Sequence, residues 1–333
     1  LHRIGVDLLG SDHGPAAIAD GIAEAVASLE VEVVAIGHGE ALALVADHAK
    51  VAPVVAEEEI LMSDDPASAP RRKRGASMVV GAAMLAAGEL DGFITFGNSG
   101  AAMATALMKV GRIKGIARPA ITVELPVPGS TPTVMLDAGA NTEVLPAWLH
   151  QFSVMGSVYA SARLGLEAPR VGLLSIGEEA GKGNQLVKEA YGLLAAEESI
   201  RFIGNVEGRD ILTDGVDVVV TDGFTGNVVL KSLEGAAKTF AKAVLEALAA
   251  GDDGVLELAL PKLTPLAEEL TPDATGAAAL LGVDGLFLIG HGASSPRAVA
   301  SAIRNASTLA EADIVSTIRM HERGAHGRDA DEG

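Results

Sequence analysis

Val216-Asp217-Val218-Val219-Val220 is followed by Asp222-Gly223-Phe224-Thr225-Gly226-Asn227, and then by Val228, Val229, Leu230 and Leu233. The β-branched run reads as a buried strand, the Gly- and Asn-containing stretch as a turn, and the last residues as the opening of a helix. Glycines let a backbone approach a ligand closely, and the free N–H groups of a helix start point outward, so this layout suits an anion. Asn227 adds a neutral amide at the mouth. For this stretch alone, an ordinary βα turn is the simpler reading.

The layout recurs along the chain. Asp91–Phe96 leads into Gly97-Asn98-Ser99-Gly100, Val134–Leu136 into Asp137-Ala138-Gly139-Ala140-Asn141, Val171–Ile176 into the loop Gly177–Asn184, and Leu286–Ile289 into Gly290-His291-Gly292-Ala293-Ser294. Apolar strand, Gly/Asn-rich loop and helix in repetition predict an α/β fold, in which ligands sit at the carboxyl ends of strands. Several such loops along one edge would form a polar, anion-accepting cleft. βα grammar accounts for the glycines and accounts less well for the repeated asparagines.

The 333 residues are enough for one large α/β domain or two lobes, and 49% hydrophobic against 21% charged residues supplies a core. With no cysteine, disulfides, thiolate catalysis and Cys-ligated metals are excluded, which is compatible with a reducing cytoplasm. A net charge of −19 and 3% aromatic residues argue against nucleic acid as a partner. No cluster has metal-ligand spacing, so neither a metal nor a cofactor is expected. No apolar run is long enough to span a membrane.

Ile4–Leu8 is the first strand and Gly10-Ser11-Asp12-His13-Gly14 its loop. Asp12 is expected to cap the helix that follows and Asp7 to order the loop, both at the cleft. Arg71-Arg72-Lys73-Arg74 is a basic patch in an acidic chain, placed before a helix that Ser77 caps. Its charge would oppose the helix dipole there, which favours an anionic partner. Gly111–Pro119 is a second basic stretch, and Pro146 opens a helix to Leu164 that carries Trp148, the only tryptophan. Leu233–Ala249 and the apolar piece Val255–Leu263, broken by Pro261, read as a helical hairpin (233–263). Residues 321–333 lack apolar periodicity and read as a disordered tail behind a single catalytic domain spanning 1–320.

Taken together, Arg71-Arg72-Lys73, Gly97–Ala101, Asp137–Asn141, Ile176–Glu179 with Lys182-Gly183-Asn184, Ile203–Asp210 and Asp222–Asn227 resemble one family in order and spacing. It is the phosphate acyltransferases of bacterial phospholipid synthesis, and the resemblance runs from Ile4 to about Ile303. Departures include Leu9 and Ser11, where the family has Met and Gly. The resemblance implies a three-layer α/β/α sandwich on one mixed, largely parallel sheet of the isocitrate/isopropylmalate dehydrogenase type, in two intertwined lobes. It also implies transfer of a long-chain fatty acyl group from acyl carrier protein to inorganic phosphate, a homodimer, a cytoplasmic location with weak peripheral membrane contact, and a downstream glycerol-phosphate acyltransferase. Asp7, Gly10, Asp12, Asn98, Ser99, Gly100, Asn141, Asn184, Asn205, Glu207, Asp222, Gly223, Gly226 and His291 then fall at the substrate and phosphate site. Arg71, Arg72, Lys73 and Arg74 become the docking patch for the carrier protein.

The chemistry is modest. Phosphate, with its second pKa near ~6, is largely dianionic at neutral pH, and a thiol of pKa ~8.5 leaves as thiolate without a strong acid. An anion cradle and oxyanion donors are what such a step requires. With the resemblance in hand, Lys182 is assigned to the phosphate and the developing charge, and Asn227 to the oxyanion or phosphate. His291 is a general acid/base candidate, though hydrogen bonding to its own loop is the stronger reading. The nearest rival is a short-chain phosphotransacetylase using acyl-CoA. A nicotinamide dehydrogenase is disfavoured because no Gly-x-Gly-x-x-Gly turn follows the first strand. A non-catalytic scaffold would leave the polar loops unexplained.

Overall fold

The computed structural model describes residues 1–250, 254–269 and 275–331. In chain order the elements are β1 (His2–Asp7), α1 (Gly14–Ser28), β2 (Val31–Gly37), α2 (Gly39–Ala43), β3 (Val51–Val55), α3 (Ala69–Arg72), α4 (Ser77–Ala86), β4 (Gly92–Thr95) and α5 (Ser99–Lys109). Then come β5 (Ala120–Leu125), β6 (Thr133–Leu136), α6 (Pro146–Leu164), β7 (Arg170–Leu174), α7 (Gln185–Ala196), β8 (Arg201–Val206), β9 (Val218–Val220) and α8 (Gly223–Ala249). The chain ends with α9 (Val255–Glu269), β10 (Ala277–Leu281), β11 (Phe287–Gly290), α10 (Pro296–Glu311) and α11 (Ile314–Asp331).

Among the described residues eleven strands form one sheet, in the order β3-β2-β1-β4-β11-β10-β5-β6-β9-β7-β8. Side chains alternate across a strand, so each strand feeds two layers. Ile4, Val33, Ile94, Leu136, Val171, Val218 and Leu288 point to the face covered by α1, α6 and α10. On the other face, Val34, Phe93 and Phe287 meet α4 and α5, while Met135 and Val219 meet the start of α8. The result is the three-layer α/β/α sandwich, with strands buried on both faces as parallel sheets require.

The pairings decide where the loops go. β1, β2, β3, β4 and β11 run parallel to one another, as do β6, β7, β8 and β9. Between the two sets lie the antiparallel pairs β11–β10, β10–β5 and β5–β6. Three reversals leave the two sets antiparallel. The carboxyl ends of β1, β4 and β11 therefore face one edge of the sheet, and those of β6, β7, β8 and β9 face the other. A single shared edge, the sequence expectation, is corrected to two.

Other boundaries differ too. α8 begins at Gly223, not near Val228, so Asn227 lies one turn inside a helix. α9 continues through Pro261 and Pro265, where a break was expected. That stretch is largely exposed, which leaves freed carbonyls to water, and Thr264 Oγ1 donates to the Leu260 carbonyl (2.9 Å). Residues from 321 on, expected as a disordered tail, continue α11 as far as Asp331, and residues 332–333 lie outside the described ones. Ile314, Ile318 and the buried Glu322 share a helix face, and Glu322 accepts from Gln151 Nε2 (3.2 Å) on α6. A buried glutamate in place of a third apolar residue hid this helix from periodicity.

Candidate active site

At the first edge, the loops after β1, β4 and β11 are pressed together. A Cβ on Gly10, whose φ is +86°, would sit 3.0 Å from Gly97 Cα, so only glycine fits this contact. The Asp12 N–H (2.8 Å) and Ser11 Oγ (3.0 Å) donate to the Gly292 carbonyl. His291 Nδ1 accepts from the Ala293 N–H (3.1 Å), so the loop reading of this histidine is the one observed. Asn98 Oδ1 caps α5 through the Ala101 N–H (3.0 Å), and its Nδ2 donates to the carbonyls of Met62 and Asp64. Ser99 and Gly100 are exposed in the first turn of α5. Asp12 does not cap α1: the residue at that position is His13, without a side-chain hydrogen bond.

Asp7 lies buried beneath these loops. Its Oδ1 accepts from the Leu9 N–H (3.0 Å) and its Oδ2 from Thr95 Oγ1 (2.8 Å). Ser77 is buried and also hydrogen-bonds Asp7, and it is not the α4 cap, which falls at Ala76. Burial raises the Asp7 pKa from 3.8 to about 6, against these hydrogen bonds. The folded state thus holds the proton more tightly than the unfolded chain. This group's contribution to stability is greatest at acid pH and declines as pH rises from about 4 through about 6. Asp7→Asn removes that dependence. Denaturant unfolding at pH 4.5 and 7.5 is expected to show the variant gaining on the wild type by about 2 kcal/mol between the two, since only the part of the shift between pH 4.5 and about 6 falls in that window. An equal difference at both pH values would show Asp7 ionising normally.

At the second edge, Asp137 is the hub. Its Oδ1 accepts from the N–H groups of Ile121 (3.1 Å), Gly139 (3.0 Å) and Ala140 (2.8 Å). Its Oδ2 accepts from the Asn141 N–H (2.7 Å) and Nδ2 (2.8 Å). Burial pushes the Asp137 carboxyl above its usual range, while the N–H donors hold it down. Asn141 Nδ2 also donates to the Pro119 carbonyl (2.8 Å), and the Gly223 N–H donates to the Asn141 carbonyl (2.8 Å). α8 therefore starts directly on this cradle. Asp222 is its cap, with Oδ1 accepting from the Thr225 N–H (2.8 Å) and Oδ2 from Thr225 Oγ1 (2.8 Å).

β7 and β9 are neighbours, so the loop carrying Lys182 stands beside that helix start. A Cβ on Gly177 would lie 2.9 Å from Lys182 Cγ, which places the lysine stem across the loop's first glycine. Asn205 is buried behind this loop and donates from Nδ2 to the Glu179 carbonyl (2.9 Å). It was expected at the substrate, and in the structure its amide nitrogen holds the loop. Asn184 caps α7 by accepting from the Val187 N–H (2.9 Å). Glu207 pairs with Arg209 (3.2 Å), which also reaches Glu178 (3.4 Å). The side chains of Asn98, Asn141, Asn184 and Asn205 are thus all hydrogen-bonded within the protein, mostly to backbone groups, while Asn205 Oδ1 is buried without a hydrogen-bond partner. Asn227 and Lys182 differ: both are exposed, and among the described residues neither side chain has a hydrogen-bond or ion-pair partner. One ammonium and one amide stand free at the edge where two helices and a carboxylate-held loop converge.

A family described as "Fatty acid synthesis protein" matches residues 2–317. Phosphate acyltransferase from Elusimicrobium minutum (strain Pei191) is 44% identical over 327 residues, covering 96% of this chain and 95% of the relative. The chain belongs to the phosphate acyltransferase family. Membership makes it an acyltransferase. Two solved structures share the fold alone: a phosphotransacetylase from Streptococcus pyogenes (TM-score 0.63, 13% identity, 93% and 94% of the two chains) and 4-hydroxythreonine-4-phosphate dehydrogenase from Klebsiella pneumoniae (TM-score 0.52, 14% identity, 93% and 100%).

For an acyltransferase of this family, the sequence reading understated two residues. Asp137 binds no exposed group, yet it shapes the loop on which α8 rests. An Asp at a strand end followed by Gly139 and Asn141 was its signal. Ser175 Oγ is buried without a hydrogen-bond partner, close under Gly183, and nothing in the sequence marked it. The basic patch also changes. Lys73 Nζ donates to Asp64 Oδ2 (2.6 Å) and to the Glu59 carbonyl (2.8 Å), so it ties down the 57–68 loop. That hydrogen bond holds the Asp64 carboxyl below its usual range. Arg71, Arg72 and Arg74 remain exposed. Arg71 and Arg72 lie at the carboxyl end of α3, where positive charge complements the dipole and does not oppose it.

Proposed function

We propose that the protein transfers a long-chain fatty acyl group from acyl carrier protein to inorganic phosphate, releasing the carrier thiol and an acyl phosphate for phospholipid synthesis. The observation that carries this reading is the unpartnered pair Lys182 and Asn227 beside the Asp137 cradle. Phosphate bound at Lys182 attacks the thioester carbonyl, and the Asn227 amide donates to the oxyanion that forms. Donors fixed before reaction stabilise developing charge without reorganisation. No side-chain base is required, because the dianion is itself the nucleophile and the thiolate leaves unaided. The test is phosphate-dependent thiol release from palmitoyl-acyl carrier protein, run beside acetyl-CoA. Faster turnover of acetyl-CoA would favour the short-chain reading, to which the phosphotransacetylase fold gives some weight.

The exposed arginines at 71, 72 and 74 supply the reason for a protein carrier: they form a cationic patch on a chain of net charge −19. Reversing these three charges is expected to raise KM for acyl carrier protein, to leave acyl-CoA turnover alone and to flatten the salt dependence. An equal loss with both donors would assign the arginines to phosphate or to the fold.

A homodimer is part of the reading. The two loop sets of one chain lie on opposite edges, and a second copy supplies a way to bring one set to the other. α8 and α9 leave Phe240 72% and Leu258 76% exposed, a surface that a monomer rarely presents. Phe240→Glu is expected to dissociate the dimer in sedimentation equilibrium. Leu258→Glu is expected to abolish weak liposome co-sedimentation with the dimer intact. The opposite pattern would exchange the two surfaces. Peripheral membrane contact in the cytoplasm would deliver the acyl phosphate to a glycerol-phosphate acyltransferase. Among the described residues no helix is long and apolar enough to cross a membrane.

A further inference from the structure

Arg118 and Trp148 meet at the rim of the Asp137 cradle, outside every residue so far given a role. The backbone on each side of Arg118 is fixed. The Ala117 N–H donates to Gln151 Oε1 (2.9 Å), and the Pro119 carbonyl accepts from Asn141 Nδ2 (2.8 Å). The side chain is not tied to any acidic group. Its guanidinium carbon lies 5.2 Å from the centre of the Trp148 ring, and among the described residues it has no ion pair or hydrogen bond. A guanidinium laid on an aromatic face keeps its N–H edge available to an anion.

The pair lines a cavity of about 570 Å³ together with Asn141, Val144 and Leu145. Asn141 belongs to both places: it borders the cavity and hydrogen-bonds Asp137 in the cradle. α6 opens onto the same space at Leu145 without a side-chain cap, so the positive end of its dipole reinforces Arg118. Glu143 also borders the cavity, but no ion pair joins it to Arg118. The cavity thus offers a cation at one point, with Trp148, Val144 and Leu145 beside it and the polar Asn141, Thr142 and Glu143 also on its walls, next to the Asp137 cradle.

We propose that the Arg118–Trp148 groove seats the phosphate-bearing pantetheine arm of the acyl donor, with Arg118 on the arm's phosphate and Trp148 along the arm. This rests on the reading of a thioester donor given above. The attacking phosphate must stand at the reacting carbonyl. The donor's own phosphate is held away from that carbon by the length of the arm, and a cationic groove alongside the cradle suits it.

Trp148 is the only tryptophan, so its emission reports on the groove directly. The full chain is titrated with 4′-phosphopantetheine, pantetheine and inorganic phosphate. 4′-Phosphopantetheine is expected to change Trp148 emission saturably, at a concentration about tenfold below that needed for pantetheine, as one charge-assisted contact gives. Arg118→Ala should erase that difference, and Arg118→Lys should retain part of it. In transfer assays Arg118→Ala should raise KM for an acyl-phosphopantetheine more than it lowers kcat, and should leave KM for the matching acyl-pantetheine unmoved. Equal binding of the two arms by the wild type overturns the proposal without any variant. So does an unchanged titration in Arg118→Ala, or a matching response to inorganic phosphate, which would make the groove the acceptor's site. If the arm binds as expected but no acyl group reaches phosphate, the groove stands and the assigned reaction falls.

Discussion

Lys182→Ala and Asn227→Ala, purified separately, are each expected to lose at least ~100-fold in turnover while unfolding at the wild-type temperature. The expectation follows from what each side chain lacks. Both are exposed and without partners among the described residues, so neither holds the fold, and truncation leaves no buried group unsatisfied. Their contribution appears only when charge develops on the substrate, and an interaction made only in the transition state lowers kcat and kcat/KM together. Asn227→Asp is more telling than alanine for the oxyanion role. It keeps the size of the side chain, exchanges the donor for a negative acceptor, and should fall at least as far as Asn227→Ala. Steady-state kinetics on purified variants decide the matter. Near-wild-type kcat in either alanine variant removes that residue from the mechanism.

Gly226→Ala is expected to be as damaging, by another route. A Cβ at this position would lie 1.9 Å from the Asp137 carbonyl oxygen and 3.0 Å from its carbonyl carbon. Neither atom belongs to a flexible side chain, so the start of α8 must move off the cradle by an ångström or more. Asn227 is the next residue and moves with it. A displacement of ~1 Å can cost ~100-fold in rate, and overpacking of this kind destabilises by about 1–3 kcal/mol. Gly235→Ala, farther along the same helix, is the control. A Cβ there meets nothing within 4 Å, and the better helix propensity should stabilise by up to about 1 kcal/mol. Measured side by side for kcat and thermal unfolding, the two substitutions should move in opposite directions. A fully active Gly226→Ala would mean that contact between α8 and the cradle is dispensable.

These glycines also show where sequence reading was sufficient and where it was not. Val218–Val220, Val134–Leu136 and Val171–Leu174 were legible as buried strands, because β-branched and apolar runs bounded by Gly and Asp have few alternatives. The loops after them were legible as well. The start of α8 was not, since Gly223 and Gly226 look like turn residues. In the structure they are helical, and they are glycines because Asp137 and Asn141 press on that face. The repeated asparagines were legible, but their hydrogen bonds were not, because local periodicity cannot show that Asn98 and Asn184 cap helices or that Asn205 faces inward. The inward turn of Lys73 depends on Asp64, which only the folded loop brings to it. Least legible was the division of the loops between two edges. It follows from the reversals at β10, β5 and β6, which no single segment reveals.

The central claim is that phosphate itself accepts the acyl group from the carrier. The direct measurement follows the reaction of palmitoyl-acyl carrier protein with inorganic phosphate by phosphorus NMR, with free thiol counted in the same sample. The predicted result is an acyl phosphate resonance growing in step with thiol, absent without phosphate and absent with Lys182→Ala. Thiol release that proceeds without phosphate, with palmitate as the product, would make the protein a thioesterase and contradict the account.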